Sequence, residues 1–428
     1  MDLLIYEKTN EYLGKVTISG AKNSAVALIP ACLLTSDEII LNNIPNITDV
    51  LVLIKIIKAL GHYASFENNI LRIKRGKNYK NTIDTDTDKL RASYYFIGSY
   101  LGFHGNISIK ESGGCNLGKR PVNYHIDNFK KLGVNYYEEN DYFIFEKYDF
   151  IKNNKSIKLP FPSVGTTINL ILYSVLKKGK TIISNIAIEP EVICVCNLLK
   201  QMGANLKIKS RKIIIKGVNK LHGTTFNNIP DRIEAATFMA LVNKKSLNEL
   251  TLNNINHKHL KTYISIYKQL GYKIIKHLNS ITIQTPQKHT NKSINIVTKP
   301  YPGFSTDNNP ILTSLLIVTP GTHTITETIY NQRFSHIYEL NKLGANISYS
   351  NNIITIKYNE LINNYYNNGN NKLHILKAYD LRCSASLVIG AINSNCKVLI
   401  KDIDYLFRGY EDIITKLLSL GIKVELLK

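Results

Sequence analysis

Residues 198–217 read LLKQMGANLKIKSRKIIIKG. Leu198, Leu199 and Met202 recur at helical spacing, so the stretch begins as the last turns of a helix with one apolar face. Gly203 then stands where a helix closes in the left-handed conformation that glycine adopts most readily. Beyond it, Leu206 and Ile208, then Ile213 and Ile215, alternate with Lys and other polar residues. That is the period of two half-buried strands joined by a polar turn. Twenty residues thus predict helix, cap and hairpin.

The same pattern returns five more times, as IIKALGHYASF, FKKLGVNYYE, IYKQLGYKII, ELNKLGANISY and KLLSLGIKVEL, and the capping glycines are Gly61, Gly133, Gly203, Gly271, Gly344 and Gly421. Their spacings of 72, 70, 68, 73 and 77 residues are too long for a solenoid repeat and too even for coincidence. Upstream of most copies lies a further strand ending in a polar turn, as in EIILNNIPNITDV, TIISNIAIEPEV, LTLNNINHKHL, HTITETIYNQRF and KVLIKDIDYLFRG. The repeating unit is therefore helix, strand, helix, two strands, an α/β architecture. Six units divide naturally into two domains of three.

The sixth unit reaches Lys428 after a single strand, IKVELL, while the N-terminus carries spare strand-like pieces, LLIYEK and KVTISG. The economical arrangement returns the first twenty residues to the last domain. One domain is then continuous, residues 21–230, and the other is split between residues 1–20 and 231–428. Two chain crossings between them predict a hinge. The segment NNYYNNGNN (363–371) is low-complexity and is expected to be an inserted surface loop.

An apolar fraction of 44% fits a folded protein, and no apolar run reaches the roughly 18–20 residues of a membrane helix. The N-terminal MDLLIYEKTNEYLG is acidic and polar where a signal peptide would be basic and then apolar, so the expected compartment is the cytoplasm. Cys32, Cys115, Cys194, Cys196, Cys383 and Cys396 form no CxxC pair and no zinc spacing, which predicts reduced thiols and no structural metal, and no cofactor is expected. The net charge of +22 raises nucleic acid, anionic membrane and acidic small molecules as partners. Because the lysines are spread along the whole chain, the charge reads as biased residue usage, and nucleic acid is not the expected partner.

Several short motifs carry chemistry. TISGAKNSA (17–25) runs from a strand through Gly20 into a helix, which sets Lys22 and Asn23 at a helix start whose free N–H groups favour an anion. An exposed lysine at an ordinary helix start is the plainer reading. Arg91 in KLRAS and Arg382 in DLRCSAS also open helices, against the helix dipole, so an anion or a salt bridge to Asp88 or Asp380 must compensate. PDRIEAATF (Asp231, Arg232, Glu234) has the same form, and Arg333 in NQRFSH and Arg408 in LFRGYE lie in turns after strands. Guanidiniums bind phosphate and carboxylate bidentately, so such turns facing one cleft would clamp a small dianion. In ESGGCNLGKRPV (111–122), Cys115 lies among glycines and just before Lys119 and Arg120. Such neighbours favour an exposed thiol of lowered pKa over a buried inert one. A cysteine–histidine pair with His125 is a further reading that spacing alone does not decide.

Taken in order, ISGAKNSA, LRAS, GGCNLGKRPV, SVGTT, PDRIEAATF, STD, NQRF, DLRCSASL and RGYE resemble the bacterial UDP-N-acetylglucosamine enolpyruvyl transferases across nearly the full chain. The resemblance implies two inside-out α/β, barrel-like domains, each of three repeated units, with the active site between them. It implies transfer of the enolpyruvyl group of phosphoenolpyruvate to the 3-hydroxyl of UDP-N-acetylglucosamine with release of phosphate, the first committed step of peptidoglycan synthesis. On that basis Lys22, Arg120 and Arg408 contact the phosphate, with Arg91, Arg333 and Arg382 around the carboxylate and cleft. Asp307 of STD is the general base. Cys115 is a proton donor or carrier on a mobile loop and the point of attachment of the epoxide fosfomycin. Asn23, Arg91, Arg120, Pro121, Val122, Ser163, Val164, Gly165, Asp307 and Ile329 are assigned to the sugar nucleotide.

The chain departs from that family at three places: Asn123 replaces the usual Asp, LPFPSVG lacks the usual Lys before the Ser-Val-Gly loop, and Pro310 follows soon after Asp307. Proline is tolerated in a first helical turn, so Asp307 keeps its place. The alternative functions are the sister enolpyruvylshikimate-phosphate synthase activity and a non-catalytic protein that binds sugar nucleotide or nucleic acid. Oligomeric state is not readable from these residues.

Overall fold

The computed structural model describes the chain apart from residues 9–12, 85–90, 111–122, 149–153, 244–245, 288–291, 360–372, 395–396 and 428. It separates into two compact units, Gly20–Ile229 and Met1–Ser19 joined with Pro230–Lys428. Each has its own apolar core, the first running from Ala25 to Phe226 and the second from Leu3 to Val424. The loop NNYYNNGNN lies outside the described residues.

All six capping glycines have positive φ, from 72° at Gly421 to 98° at Gly203; five close a helix that precedes a hairpin, and Gly421 closes one that precedes the single strand Ile422–Leu427. In the third copy the helix Pro190–Gln201 leads into strands Asn205–Lys209 and Lys212–Lys216, in full register from Asn205 opposite Lys216 to Lys209 opposite Lys212. Hairpin tips at Asn68–Asn69, Asn140–Asp141 and Asn351–Asn352 hold two consecutive residues at positive φ, the geometry whose twist matches paired strands.

The structure adds one strand to the predicted unit. Every sheet has four strands, with a parallel edge strand beside the first strand of the repeat and the hairpin beyond it. Apart from Leu13–Thr17, read as the spare piece KVTISG, these edge strands escaped the sequence pattern because they are short and half polar: Thr82–Ile83 has two residues and Thr224–Asn227 reads TTFN. Among the described residues, three sheets belong to each unit.

The N-terminal strands complete the split unit. Asp2–Lys8 lies antiparallel between Val398–Lys401 and Ile422–Leu427, supplying the strand that the sixth repeat lacks. Leu13–Thr17 pairs in parallel with Glu249–Asn253 of the fourth repeat. At the crossings, Asp231 N–H donates to Ser19 O at 2.9 Å and Ala21 N–H to Ile229 O at 2.7 Å.

Within each unit the helices are inside and the sheets outside. The first helix of a repeat is buried almost all round, as in Lys22–Ala31, Val164–Ser174 and Leu381–Ser394, and so carries small or apolar residues on every face. The second helix is one-sided: Lys261–Gln269 buries Tyr263, Ile264, Ile266 and Tyr267 and exposes the rest. Strands alternate buried with exposed because only one sheet face meets the helices. No helix among the described residues is long and apolar enough to cross a membrane.

Candidate active site

The split unit brings three predicted residues together. Ser305 caps a short 3-10 turn, Thr306–Asn308, by accepting from Asp307 N–H, and the helix Asn309–Leu316 follows with Pro310 in its first turn. Pro310 thus sits where its missing N–H costs no helical bond. Asp307, half-buried, accepts from Arg333 Nη1 at 2.7 Å on one oxygen and from Arg382 Nη2 at 3.1 Å on the other. Both guanidiniums are buried, at 3% and 4% exposure, so their charges are little screened.

Burial alone disfavours each guanidinium's charge, and the facing groups outweigh it: Asp307 for Arg333, and Tyr410 with Asp307 and Asp231 for Arg382, so both sit above the ordinary arginine range. Two guanidiniums thus converge on the single carboxylate of Asp307, the donor type that binds carboxylate and phosphate groups.

Arg382 opens its helix without a salt bridge to Asp380, one of the two compensations that the sequence left open. Asp380 is instead the helix cap, its Oδ1 accepting from the Arg382 and Cys383 N–H groups at 2.9 and 3.1 Å. The compensating carboxylate is Asp307, 75 residues away. Arg382 Nη1 also donates to the Tyr410 hydroxyl at 3.1 Å, which lies 2.9 Å from Thr237 Oγ1. Arg408 ends the 3-10 helix Ile403–Arg408, two residues before Tyr410, and is half-buried. Asp231 caps the helix Arg232–Met239. Ile329 lies in the turn after strand Thr322–Thr326, its N–H given to Glu327 Oε1 at 2.9 Å.

In the continuous unit, Lys22 is the first residue of its helix and Asn23 the second, and no acid occupies the first turn. Gly20 makes this start possible, because a Cβ there would lie 1.7 Å from Asn43 O. Lys22 Nζ lies 3.0 Å from Oδ2 of the buried Asp49. Ser163 caps the helix Val164–Ser174 by accepting from Thr166 N–H at 3.3 Å. A Cβ on Gly165 would meet the His125 ring at 3.3 Å, and His125 Nδ1 is 3.0 Å from Asn169 Nδ2. Arg91 opens the 3-10 helix Arg91–Tyr94, with its backbone alone described. Asn123 begins the helix Asn123–Lys131, and Phe161 is exposed.

Cys115, Arg120, Pro121 and Val122 lie outside the described residues. Of the other cysteines, Cys32, Cys194, Cys196 and Cys383 are free and buried, and burial pushes the last three thiols up to about 12, so they stay inert. No group of three His, Cys, Asp or Glu suited to a metal occurs among the described residues.

Sequence reasoning passed over Asp49, Glu327 and Tyr410. Asp49 sits in NITDV at a helix start, where an acid is ordinary. Glu327 falls in a turn, where a carboxylate usually meets water, and Tyr410 was read only as part of the RGYE motif.

Comparison with known proteins agrees with this architecture. The EPSP synthase (3-phosphoshikimate 1-carboxyvinyltransferase) family profile matches residues 6–417. The UDP-N-acetylglucosamine 1-carboxyvinyltransferase of Streptococcus pneumoniae serotype 2 is 39% identical over 418 residues, 97% of each chain. That of Thermotoga petrophila is 33% identical over 415 residues, 96% of each. Among solved structures, the enolpyruvyl transferase NikO from Streptomyces tendae superposes with a TM-score of 0.86 at 20% identity, covering 99% of this chain and 98% of that one. EPSP synthase from Acinetobacter baumannii gives 0.72 at 14% identity, covering 99% of each. The chain belongs to the EPSP synthase family and, within it, groups with the UDP-N-acetylglucosamine 1-carboxyvinyltransferases.

Proposed function

We propose that this protein transfers the enolpyruvyl group of phosphoenolpyruvate to the 3-hydroxyl of UDP-N-acetylglucosamine, releasing phosphate, the entry reaction of peptidoglycan synthesis. The observation that carries it is Asp307 held between two buried guanidiniums, in a chain whose full-length relatives bear that activity's name. In the addition step the sugar oxygen bonds to C2 of phosphoenolpyruvate and a proton goes to C3. In the elimination step C3 loses a proton, the C2–O bond to phosphate breaks, and the double bond reforms. Asp307 takes the proton of the 3-hydroxyl, and Arg333 and Arg382 stabilise the carboxylate end of the tetrahedral intermediate.

The remaining assignments follow the family resemblance. Lys22, Arg120 and Arg408 hold phosphate, and Arg91 stands with Arg333 and Arg382 around the carboxylate and cleft. Cys115 handles the proton at C3. Asn23, Pro121, Val122, Ser163, Val164, Gly165 and Ile329 hold the sugar nucleotide. Since the Ile329 N–H is engaged by Glu327, what Ile329 offers a ligand is its carbonyl and side chain. The functional domains are residues 21–230 and residues 1–20 with 231–428. The substrates are metabolites of the cytoplasm, which is the compartment this reading implies.

The family profile itself is that of EPSP synthase, which favours shikimate 3-phosphate as a second acceptor to test. Phosphate release from phosphoenolpyruvate, measured with each acceptor, decides between them. Release that requires UDP-N-acetylglucosamine supports the assignment. Release only with shikimate 3-phosphate reassigns the acceptor, and release with neither rejects both.

A further inference from the structure

Glu327 follows strand Thr322–Thr326 and is fully buried, yet none of the ion pairs among the described residues includes it. A buried carboxylate without a countercharge requires a full set of hydrogen bonds. Glu327 has one, divided by oxygen. Oε1 accepts from Ile329 N–H at 2.9 Å, Tyr330 N–H at 3.1 Å and Thr298 Oγ1 at 2.9 Å. Oε2 accepts from Thr306 Oγ1 and Asn309 Nδ2, both at 2.9 Å.

Apart from Thr298, which follows strand Asn295–Val297, the donors belong to two different turns, one for each oxygen. Thr306 and Asn309 flank Asp307, one opening the 3-10 turn that carries it and the other following that turn. Ile329 and Tyr330 form the turn that leads to Arg333, whose N–H donates to Tyr330 O at 3.2 Å. Asp307 and Arg333 then meet at 2.7 Å. We propose that Glu327 is a positioning residue, one carboxylate whose two oxygens set the turn of Asp307 against the turn of Arg333. Its kinetic consequence rests on the function proposed above, whereas its geometric consequence does not.

The chemistry distinguishes two substitutions. In Glu327→Gln the side-chain oxygen must face Ile329 and Tyr330, because backbone N–H groups cannot accept. The amide NH2 then faces Thr306 and Asn309. Thr306 can rotate its hydroxyl to accept, but turning the Asn309 amide to present Oδ1 would bury its NH2 where Oδ1 now has no hydrogen-bond partner, so the bond to Asn309 is lost. Gln therefore keeps the Arg333 turn and loosens the Asp307 turn. Glu327→Ala releases both.

The test compares wild type, Glu327→Gln and Glu327→Ala by crystal structure, thermal unfolding and steady-state kinetics with phosphoenolpyruvate and UDP-N-acetylglucosamine. A displacement of about 1 Å at a reacting group costs on the order of 100-fold in rate. The expected result is a kcat loss of about tenfold for Gln and about 100-fold for Ala, with KM for phosphoenolpyruvate changed less than about threefold in Gln. The Asp307–Arg333 hydrogen bond is expected to be broken in the Ala structure, and the Thr306–Asn309 segment displaced in the Gln structure. Unchanged kcat in variants with lowered Tm, or both turns superposing on wild type, overturns the proposal. If Ala does not fold, the Gln structure and kinetics decide. If wild type turns over neither acceptor, the proposed function falls and the crystallographic comparison still judges Glu327.

Discussion

Arg333 donates to Asp307 at 2.7 Å across 26 residues of sequence, and the oxygen that it leaves on Asp307 is taken by Arg382. One carboxylate therefore neutralises part of two buried charges while remaining half-exposed itself. This arrangement links stability to chemistry at a single residue.

Asp307→Asn turns an amide NH2 toward one guanidinium and leaves buried charge uncompensated. Breaking a buried pair from one side costs about 3–5 kcal/mol, and loss of a general base costs about 100-fold or more in kcat. Urea denaturation and phosphate release should report both losses together. Wild-type turnover by a destabilised Asp307→Asn would remove Asp307 from the proton transfer.

Asp49 is buried beside Lys22 and holds it at the helix start. Asp49→Asn keeps the shape and loses the charge, so Lys22 is less firmly placed. The expected effect is a rise of about tenfold in KM for phosphoenolpyruvate, equivalent to about 1.4 kcal/mol, with kcat within about threefold. A pure kcat effect would argue that Lys22 acts in the chemical step and not in holding substrate.

Leu3 is fully buried in a strand hydrogen-bonded on both sides, so residues at the chain start carry core stability. Leu3→Ala should cost about 2–5 kcal/mol in chemical denaturation. Leu13→Ala, at a position 66% exposed, should stay within about 0.5 kcal/mol. Equal effects would contradict the placement of the first strand.

His62 is buried with both ring nitrogens engaged, Nδ1 accepting from Gly76 N–H at 3.1 Å and Nε2 at 2.8 Å from the Tyr100 hydroxyl. Burial, with Arg75 nearby, pushes its pKa down to about 4. The unfolded chain then binds a proton that the folded chain refuses between pH 6.5 and about 4, so stability falls as pH falls through that window. His336, fully buried and lowered to about 3, acts in the same direction. Tm measured from pH 7 to pH 4.5 should drop more steeply in wild type than in His62→Gln, and parallel curves would show that His62 does not contribute.

The helix–cap–hairpin units were legible because their signals are local. Gly203 ends a helix whose residues precede it directly, and Leu206 and Ile208 alternate within one strand, so period and cap stand side by side in the chain. Even the return of LLIYEK could be inferred, since the sixth hairpin visibly lacked a strand. The parallel edge strands other than Leu13–Thr17 were not legible, because pieces such as Thr82–Ile83 and Thr224–Asn227 are too short and polar to carry a period.

At the site, residue type came from sequence and partnership did not. Arg at the start of the Leu381–Ser394 helix announced a missing anion, and the near neighbour Asp380 was one obvious candidate. Folding assigned Asp380 to the backbone N–H groups and Asp307 to the guanidinium. Glu327 gave no sequence signal, because its five donors come from three separate segments. Helix, cap and strand depend on neighbours within a few residues, so sequence alone determined the six repeats and the class of chemistry that their turns carry. Ion pairs and buried hydrogen bonds depend on distances of about 3 Å between segments far apart in the chain, and only tertiary structure decided those.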